Sequence, residues 1–211
     1  MIADILGWLA SSIMGLIQSA GHIGVFILMS LESANIPIPS EIIMPFSGFL
    51  VSKGVFSFWP IVVIGALGNL FGSIVSYLFA SFIVRNRHRI YFLKVFISDS
   101  FLEKATVFFN KYGSVSVFFS RMLPIVRTFI SLPAGLGKMN LVKFCSLTFV
   151  GSLIWSSILA YLGKVLGDNW TVLEQYFRQF DVVILAVIIL IGIYWLNRHF
   201  GGKIKKNSAE S

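Results

Sequence analysis

Cysteine and charge are both scarce in this chain. A single thiol, Cys145, among 211 residues leaves no disulfide partner and too few ligands for a cysteine-rich metal site. Redox chemistry and a disulfide framework are therefore excluded. Charged residues make up 12% of the chain, about half the ~25% of a soluble domain. Acids are the scarcer sign, nine Asp and Glu against 17 Lys and Arg. The opening Met1-Ile2-Ala3-Asp4 carries no Lys or Arg before its apolar stretch, so the basic start of a cleaved secretory signal is missing and that stretch is expected to be retained. What fills the chain is apolar surface, 56% of residues with a mean hydropathy of +0.85. A soluble core of this size cannot hide that much, and an integral membrane protein is implied.

A net charge of +8 would suit nucleic acid, but its carriers cluster at Arg85, Arg87, Arg89 and Lys94 and at Arg198, Lys203, Lys205 and Lys206. Both clusters follow apolar runs directly. That is the cytoplasmic flank of a membrane span and argues against nucleic acid as a partner. Residues 1–20 read as an N-terminal apolar or interfacial helix, with glycines at 15, 21 and 24 interrupting the uncharged stretch 5–31. The 31 uncharged residues 54–84 open on Phe58-Trp59-Pro60, an aromatic anchor and a first-turn proline, and form the first clear span. Residues 144–163 and 182–197 form two more, with Trp155 and Tyr161 as aromatics towards the far end of the first of these. Between them, 166–181 holds Asp168, Glu174 and Asp181 and reads as an external loop; 198–211 is a basic cytoplasmic tail.

Two stretches, about 24–52 and 113–138, are too interrupted to span straight, and they hold five of the six prolines. Pro37, Pro39 and Pro45 should break the first hairpin, Pro124 and Pro133 the second. The second stretch is flanked by basic residues at both ends, so it should enter and leave on the cytoplasmic side. The first should then enter from outside, with the two tips pointing at each other. The hairpins also resemble each other at an offset of 86 to 89 residues: Gly24 answers Gly113, Glu32 answers Arg121, Glu41 answers Arg127 and Pro45 answers Pro133. An inverted repeat with broken helices at its centre is a transporter signature.

Glu32, Glu41, Arg121 and Arg127 lie inside these stretches, each at a cost of roughly 2.5–3.5 kcal/mol on the insertion scale unless it finds water or a partner. One hairpin carries acids and the other bases, so meeting tips would set two carboxylates against two guanidinium groups. The bland reading is a pair of buried salt bridges. The functional one uses the guanidinium fork, which matches phosphate in a bidentate way. An anion arriving at an arginine would release its carboxylate and favour proton uptake there, coupling phosphate binding to protons.

The runs Leu31-Glu32-Ser33-Ala34-Asn35-Ile36-Pro37-Ile38-Pro39-Ser40-Glu41 and Phe119-Ser120-Arg121-Met122-Leu123-Pro124-Ile125-Val126-Arg127-Thr128, followed by Pro133-Ala134-Gly135, resemble the DedA family, also called SNARE-associated or VTT-domain proteins. The resemblance covers about residues 20–165. It implies an all-α protein of the bacterial inner membrane in which opposed re-entrant hairpins are each followed by a transmembrane helix, with a further C-terminal transmembrane helix at 182–197. It also implies lipid translocation with proton coupling, undecaprenyl phosphate or a phospholipid such as phosphatidylethanolamine being the cargo, and a link to envelope homeostasis that depends on the proton motive force. Arg121 and Arg127 take the substrate-binding positions, joined by their neighbours Ser120 and Thr128 as candidates, and Glu32 and Glu41 the proton-coupling ones. Membrane lipids, a lipid phosphate above all, and protons are the implied partners; no cofactor or metal is expected, and a homo-oligomer is left open.

Two other functions fit the same residues. A membrane lipid phosphatase would hold phosphate with the arginines, but His22, His88 and His199 sit at segment ends and Ser33, Ser40 and Ser120 have no histidine base nearby in sequence. A proton-coupled exchanger of small cations needs only the carboxylates and leaves the arginines idle. The distribution of Lys and Arg predicts that cysteines substituted at Asp168 and Lys203 are labelled from opposite sides of the membrane. Labelling of both from one side would overturn the orientation.

Overall fold

A computed structural model describes residues 2–36, 38–86, 115–123 and 126–169. The loop beyond residue 169, the expected helix 182–197, the tail, the basic cluster at 87–94, Pro37 and Pro124 lie outside the described residues. All described residues belong to one compact unit.

The described chain is helical throughout. Helix α1 is Ile2–Ser33, α2 Ser40–Ser52, α3 Phe58–Asn86, α4 Val115–Ser120, α5 Val126–Phe129, α6 Ser131–Leu136 and α7 Leu141–Leu166, closed by a 3-10 turn, Gly167–Asn169. Three stretches, Ala10–Ser33, Phe58–Arg85 and Leu141–Asn169, have 24, 28 and 29 residues and are apolar enough to cross a bilayer, which takes ~20 residues. The outward side of α3 is a row of large apolar groups, Val63, Leu67, Phe71, Val75, Phe79 and Phe82, exposed as only lipid would favour. The protein is a multi-pass membrane protein.

The long N-terminal stretch α1 is two helices joined at Gly21, whose φ of 58° and ψ of −132° leave the helical region, a conformation open to glycine. After Ser33 the chain turns through Asn35 at φ 68°, and Pro39, the residue before α2, has extended backbone. Pro39 thus stands at the break. Pro45 and Pro133, expected to break their hairpins, do not: Pro45 lies inside α2, and Pro133 is the third residue of α6. In a first turn the missing N–H has no intrahelical partner to lose. At Pro45 the cost is confined to the carbonyl of Glu41, left without its i+4 donor. Helix α7 starts at Asn140, whose side chain accepts from the Lys143 amide at 3.1 Å.

Contacts then fix the layout. The second half of α1 runs beside α3, since a Cβ on Gly68 would meet the Phe26 carbonyl and one on Gly72 the Ser30 carbonyl. The ring of His22 packs on Phe56 at 4.7 Å, so the chain returns after α2 to the end from which it came. Helix α4 lies along α7, with Val117 in a cluster with Phe144 and Gly151 against Arg121. The returning arms cross over. Helix α2 packs on α7, where a Cβ on Gly48 would come within 2.0 Å of the Ala160 carbonyl and one on Gly163 within 1.9 Å of the Pro45 carbonyl. Helix α6 packs on α3, with Gly135 beneath the Tyr77 carbonyl and the Tyr77 hydroxyl donating to the Met139 carbonyl. Lys53, at the end of α2, pairs with Asp168, past the end of α7, at 2.7 Å.

Backbone cannot yield as a flexible side chain can, so Gly48→Ala and Gly163→Ala should each cost at least the ~1–3 kcal/mol of an overpacked core. Gly15→Ala, which meets nothing within 4 Å, should be tolerated. Thermal unfolding in detergent reads the difference, and equal behaviour of all three would contradict the packing described.

Candidate functional site

Both breaks end on charged or polar residues, and the fold brings those ends together. Asn35 in the first break donates from Nδ2 to the Thr128 carbonyl in α5 at 3.2 Å and accepts at Oδ1 from Ser76 in α3 at 2.7 Å. Beside this bridge Arg127 reaches back across 95 residues to Glu32. One nitrogen, Nη2, donates to both Glu32 Oε1 and Ser40 Oγ. Ser40 in turn donates to Glu41 Oε2 at 3.1 Å, so the second acid is joined to Arg127 through a hydroxyl.

Arg121 is held differently. Its Nη1 donates to the Arg127 carbonyl at 2.8 Å and to Asn69 Oδ1 at 3.3 Å, and its Nη2 to Ser131 Oγ at 2.9 Å and Thr148 Oγ1 at 3.3 Å. Asn69 Oδ1 also accepts from Ser152 at 2.9 Å. Among the described residues Arg121 makes no ion pair, and Glu32–Arg127 is the one buried pair. The guanidinium groups are 1% and 2% exposed, so neither is solvated at the surface. Each lies near an aromatic ring, Arg121 at 5.8 Å from Phe144 and Arg127 at 5.4 Å from Trp155.

The structure therefore gathers Glu32, Glu41, Arg121 and Arg127 in one buried cluster, with one direct pair where the sequence pattern predicts two. Ser120 closes α4 at the start of the second break and Thr128 lies within α5 beyond it, and neither hydroxyl bonds to an arginine among the described residues. Ser40, considered in sequence as a nucleophile, is a ligand of Arg127. Asn69, Ser131, Thr148, Ser152 and Trp155 complete the cluster without having been singled out as site residues. Their signal was present: Asn69 is an amide in the middle of an uncharged span, and Thr148 and Ser152 are four apart on one helix face. Trp155, which reads as an aromatic near the end of its span, sits mid-helix over Arg127.

Chemically the cluster is a cation pair with one carboxylate on it, in a place with little competing water. An anion can replace that carboxylate on the Arg127 fork.

The VTT domain matches residues 38–165, from just before Pro39 to the last turn of α7. The chain belongs to the VTT-domain, or DedA, family. Among VTT-domain relatives, an alkaline phosphatase-like protein of Lactococcus lactis subsp. cremoris is 32% identical over 90% of this chain and 94% of its own length. Undecaprenyl phosphate transporter A of Staphylococcus aureus is 31% identical over 88% of this chain and 93% of its own, and that of Bacillus subtilis 31% over 97% and 98%. No solved structure matches the chain.

Removing one member of a buried pair strands the other, at a cost of about 3–5 kcal/mol. Glu32→Ala should therefore lower stability in detergent far more than Glu41→Ala, whose partner is a hydroxyl and whose loss should cost about 1 kcal/mol. Equal losses on thermal unfolding would place the two acids on the same footing and contradict the geometry.

Proposed function

We propose that this protein is a lipid-carrier transporter of the bacterial cytoplasmic membrane that moves a lipid phosphate across the bilayer in exchange for, or together with, protons. The observation that carries this reading is the buried Arg127–Glu32 pair at the point where two broken helices meet. Arg127 and Arg121 supply the cationic ground for the phosphate, with Ser120 and Thr128 at the mouth of the break. Glu32, released when phosphate takes its place on Arg127, is neutralised by a proton, and Glu41, linked through Ser40, is the second member of the proton path. Relatives named undecaprenyl phosphate transporter A support undecaprenyl phosphate as cargo; a phospholipid such as phosphatidylethanolamine is the broader version of the same reading.

In this reading 24–52 and 113–138 are re-entrant hairpins of an inverted repeat. The crossed packing supports it: each returning arm lies on the span of the other half, α2 on α7 and α6 on α3. The Lys53–Asp168 pair at one end and the Tyr77–Met139 bond at the other support spans α3 and α7 of opposite direction; that α3 runs inward rests on the basic residues that follow it in sequence. Residues 21–165 then form the transporting domain, preceded by the N-terminal helix and followed by an external loop, a further span at 182–197 and a cytoplasmic tail.

The relatives named alkaline phosphatase-like favour a second reading, a lipid phosphatase. Release of inorganic phosphate from a lipid phosphate by the purified protein would decide for it. Transport is tested by flux of labelled lipid phosphates in proteoliposomes, with and without a pH gradient. Arg127→Lys should reduce flux about tenfold or more although the charge remains, because an ammonium cannot form the two parallel bonds of the fork. Glu32→Gln should flatten the pH dependence of what flux is left. Unchanged flux in the first, or an unaltered pH profile in the second, would remove the mechanism.

A further inference from the structure

Buried polar atoms without partners are rare in a folded interior and mark places built for something else. Among the described residues there are four: Glu32 Oε2, Arg121 Nε, Trp155 Nε1 and Ser156 Oγ. Ser156 lies against Gly65 of α3. The other three belong to the arginine cluster. Glu32 holds Arg127 with one oxygen and leaves the second open, while the indole that packs on the same guanidinium, 5.4 Å away, leaves its N–H open. A phenylalanine would supply the ring without stranding a donor, and a tryptophan is well placed in an interior only where its N–H reaches an acceptor.

The three open atoms have a definite chemistry. Arg121 Nε and Trp155 Nε1 are donors, and Glu32 Oε2 in its ionised form accepts only. An occupant that satisfies both kinds must offer acceptor oxygens and a donor hydrogen. A phosphate monoester in its singly protonated form carries both on the phosphate itself: its P–O⁻ oxygens accept and its P–OH donates. A phosphate diester has no donor on its phosphate and would have to bring one from a head group, and a carboxylate has none.

We propose that Trp155 contacts the substrate, its indole N–H donating to an oxygen of a phosphate monoester while its ring covers Arg127, and that the monoester hydroxyl gives its proton to the open oxygen of Glu32, neutralising that acid as the phosphate displaces it from Arg127 and leaving the phosphate a dianion. This rests on the reading of Arg127 as a phosphate ligand and adds the residue that completes the site and the ester class it prefers. A guanidinium covered by an aromatic face keeps its in-plane N–H groups for the anion, and the indole edge adds a neutral donor that needs no counter-charge when the site is empty.

The test is binding of farnesyl phosphate and of its methyl diester to the full-length protein in detergent, for the wild type, Trp155→Phe and Arg127→Lys. The wild type should bind the monoester at least about tenfold more tightly than the diester, the order expected for one hydrogen bond to a charged group. Trp155→Phe should weaken monoester binding by about tenfold with an unchanged melting temperature. Trp155→Phe binding as the wild type does, where Arg127→Lys has lost binding, would overturn the role of Trp155 and leave the phosphate site standing. Equal wild-type affinity for both esters would overturn the ester preference. A wild type that binds neither ester would remove the reading of Arg127 and the proposal with it. Should Trp155→Phe fail to fold, the chain with Trp8, Trp59, Trp170 and Trp195 replaced by Phe reports from Trp155 alone. Its fluorescence should change with farnesyl phosphate and not with farnesol, and no change would overturn the proposal.

Discussion

A guanidinium that cannot lose its charge, buried in the interior of a membrane protein, is the constraint around which this molecule is arranged. Arg127 meets it with a carboxylate from one broken helix, a hydroxyl from the next and an aromatic face from α7. Those three groups come from three separate elements, so the charge cannot be satisfied unless the elements converge. Arg121 meets the same constraint without an acid. Its four bonds go to neutral oxygens, one of them the Arg127 carbonyl, so the first arginine holds the backbone that presents the second. Buried backbone that leaves the helix needs partners, and Asn35 in the first break gives one to the Thr128 carbonyl beyond the second.

Lipid gives helices no hydrophobic reason to associate, so close approach and hydrogen bonding must hold them. Glycines supply the approach, at 68 and 72 for α1 on α3, at 48 and 163 for α2 on α7, and at 135 for α6 on α3. Serines hide their hydroxyls within their own helices, as Ser30, Ser47 and Ser73 do by donating to the carbonyls four residues back. Polar composition inside a span therefore has two fates. Ser47 is packing material, whereas Asn69, in a span of similar composition, is wired to Arg121.

What the sequence makes legible follows from how strong each signal is. Uncharged runs long enough to span gave α3 and α7 within a few residues, since a charge at a membrane edge is expensive. The four charges within apolar stretches were visible for the same reason, and the structure puts them in one cluster. The partners of those charges were not legible. Opposite signs predict two ion pairs, but dipoles of a carbonyl, an amide and two hydroxyls serve Arg121, and no spacing announces which serines and amides those are. Proline was read too strongly: Pro45 and Pro133 lie within helices, because a helix in a packed bundle can lose one bond or place the ring where none is lost. Trp155 was read from its type alone, which favours membrane edges, against a position that is central.

The returning arms packed on each other's spans have a consequence for how the protein is made. Glu32 emerges from the ribosome 95 residues before Arg127, and α2 before the α7 surface that receives Gly48 exists. The first half of the chain thus enters the membrane with an acid that has no base and a helix that has no seat. Until the second half arrives it must be held as a neutral acid, at the water boundary or by another protein. Assembly is completed by the second hairpin, so a chain truncated before Arg127 is not half a working protein but an intermediate with its least tolerable groups exposed.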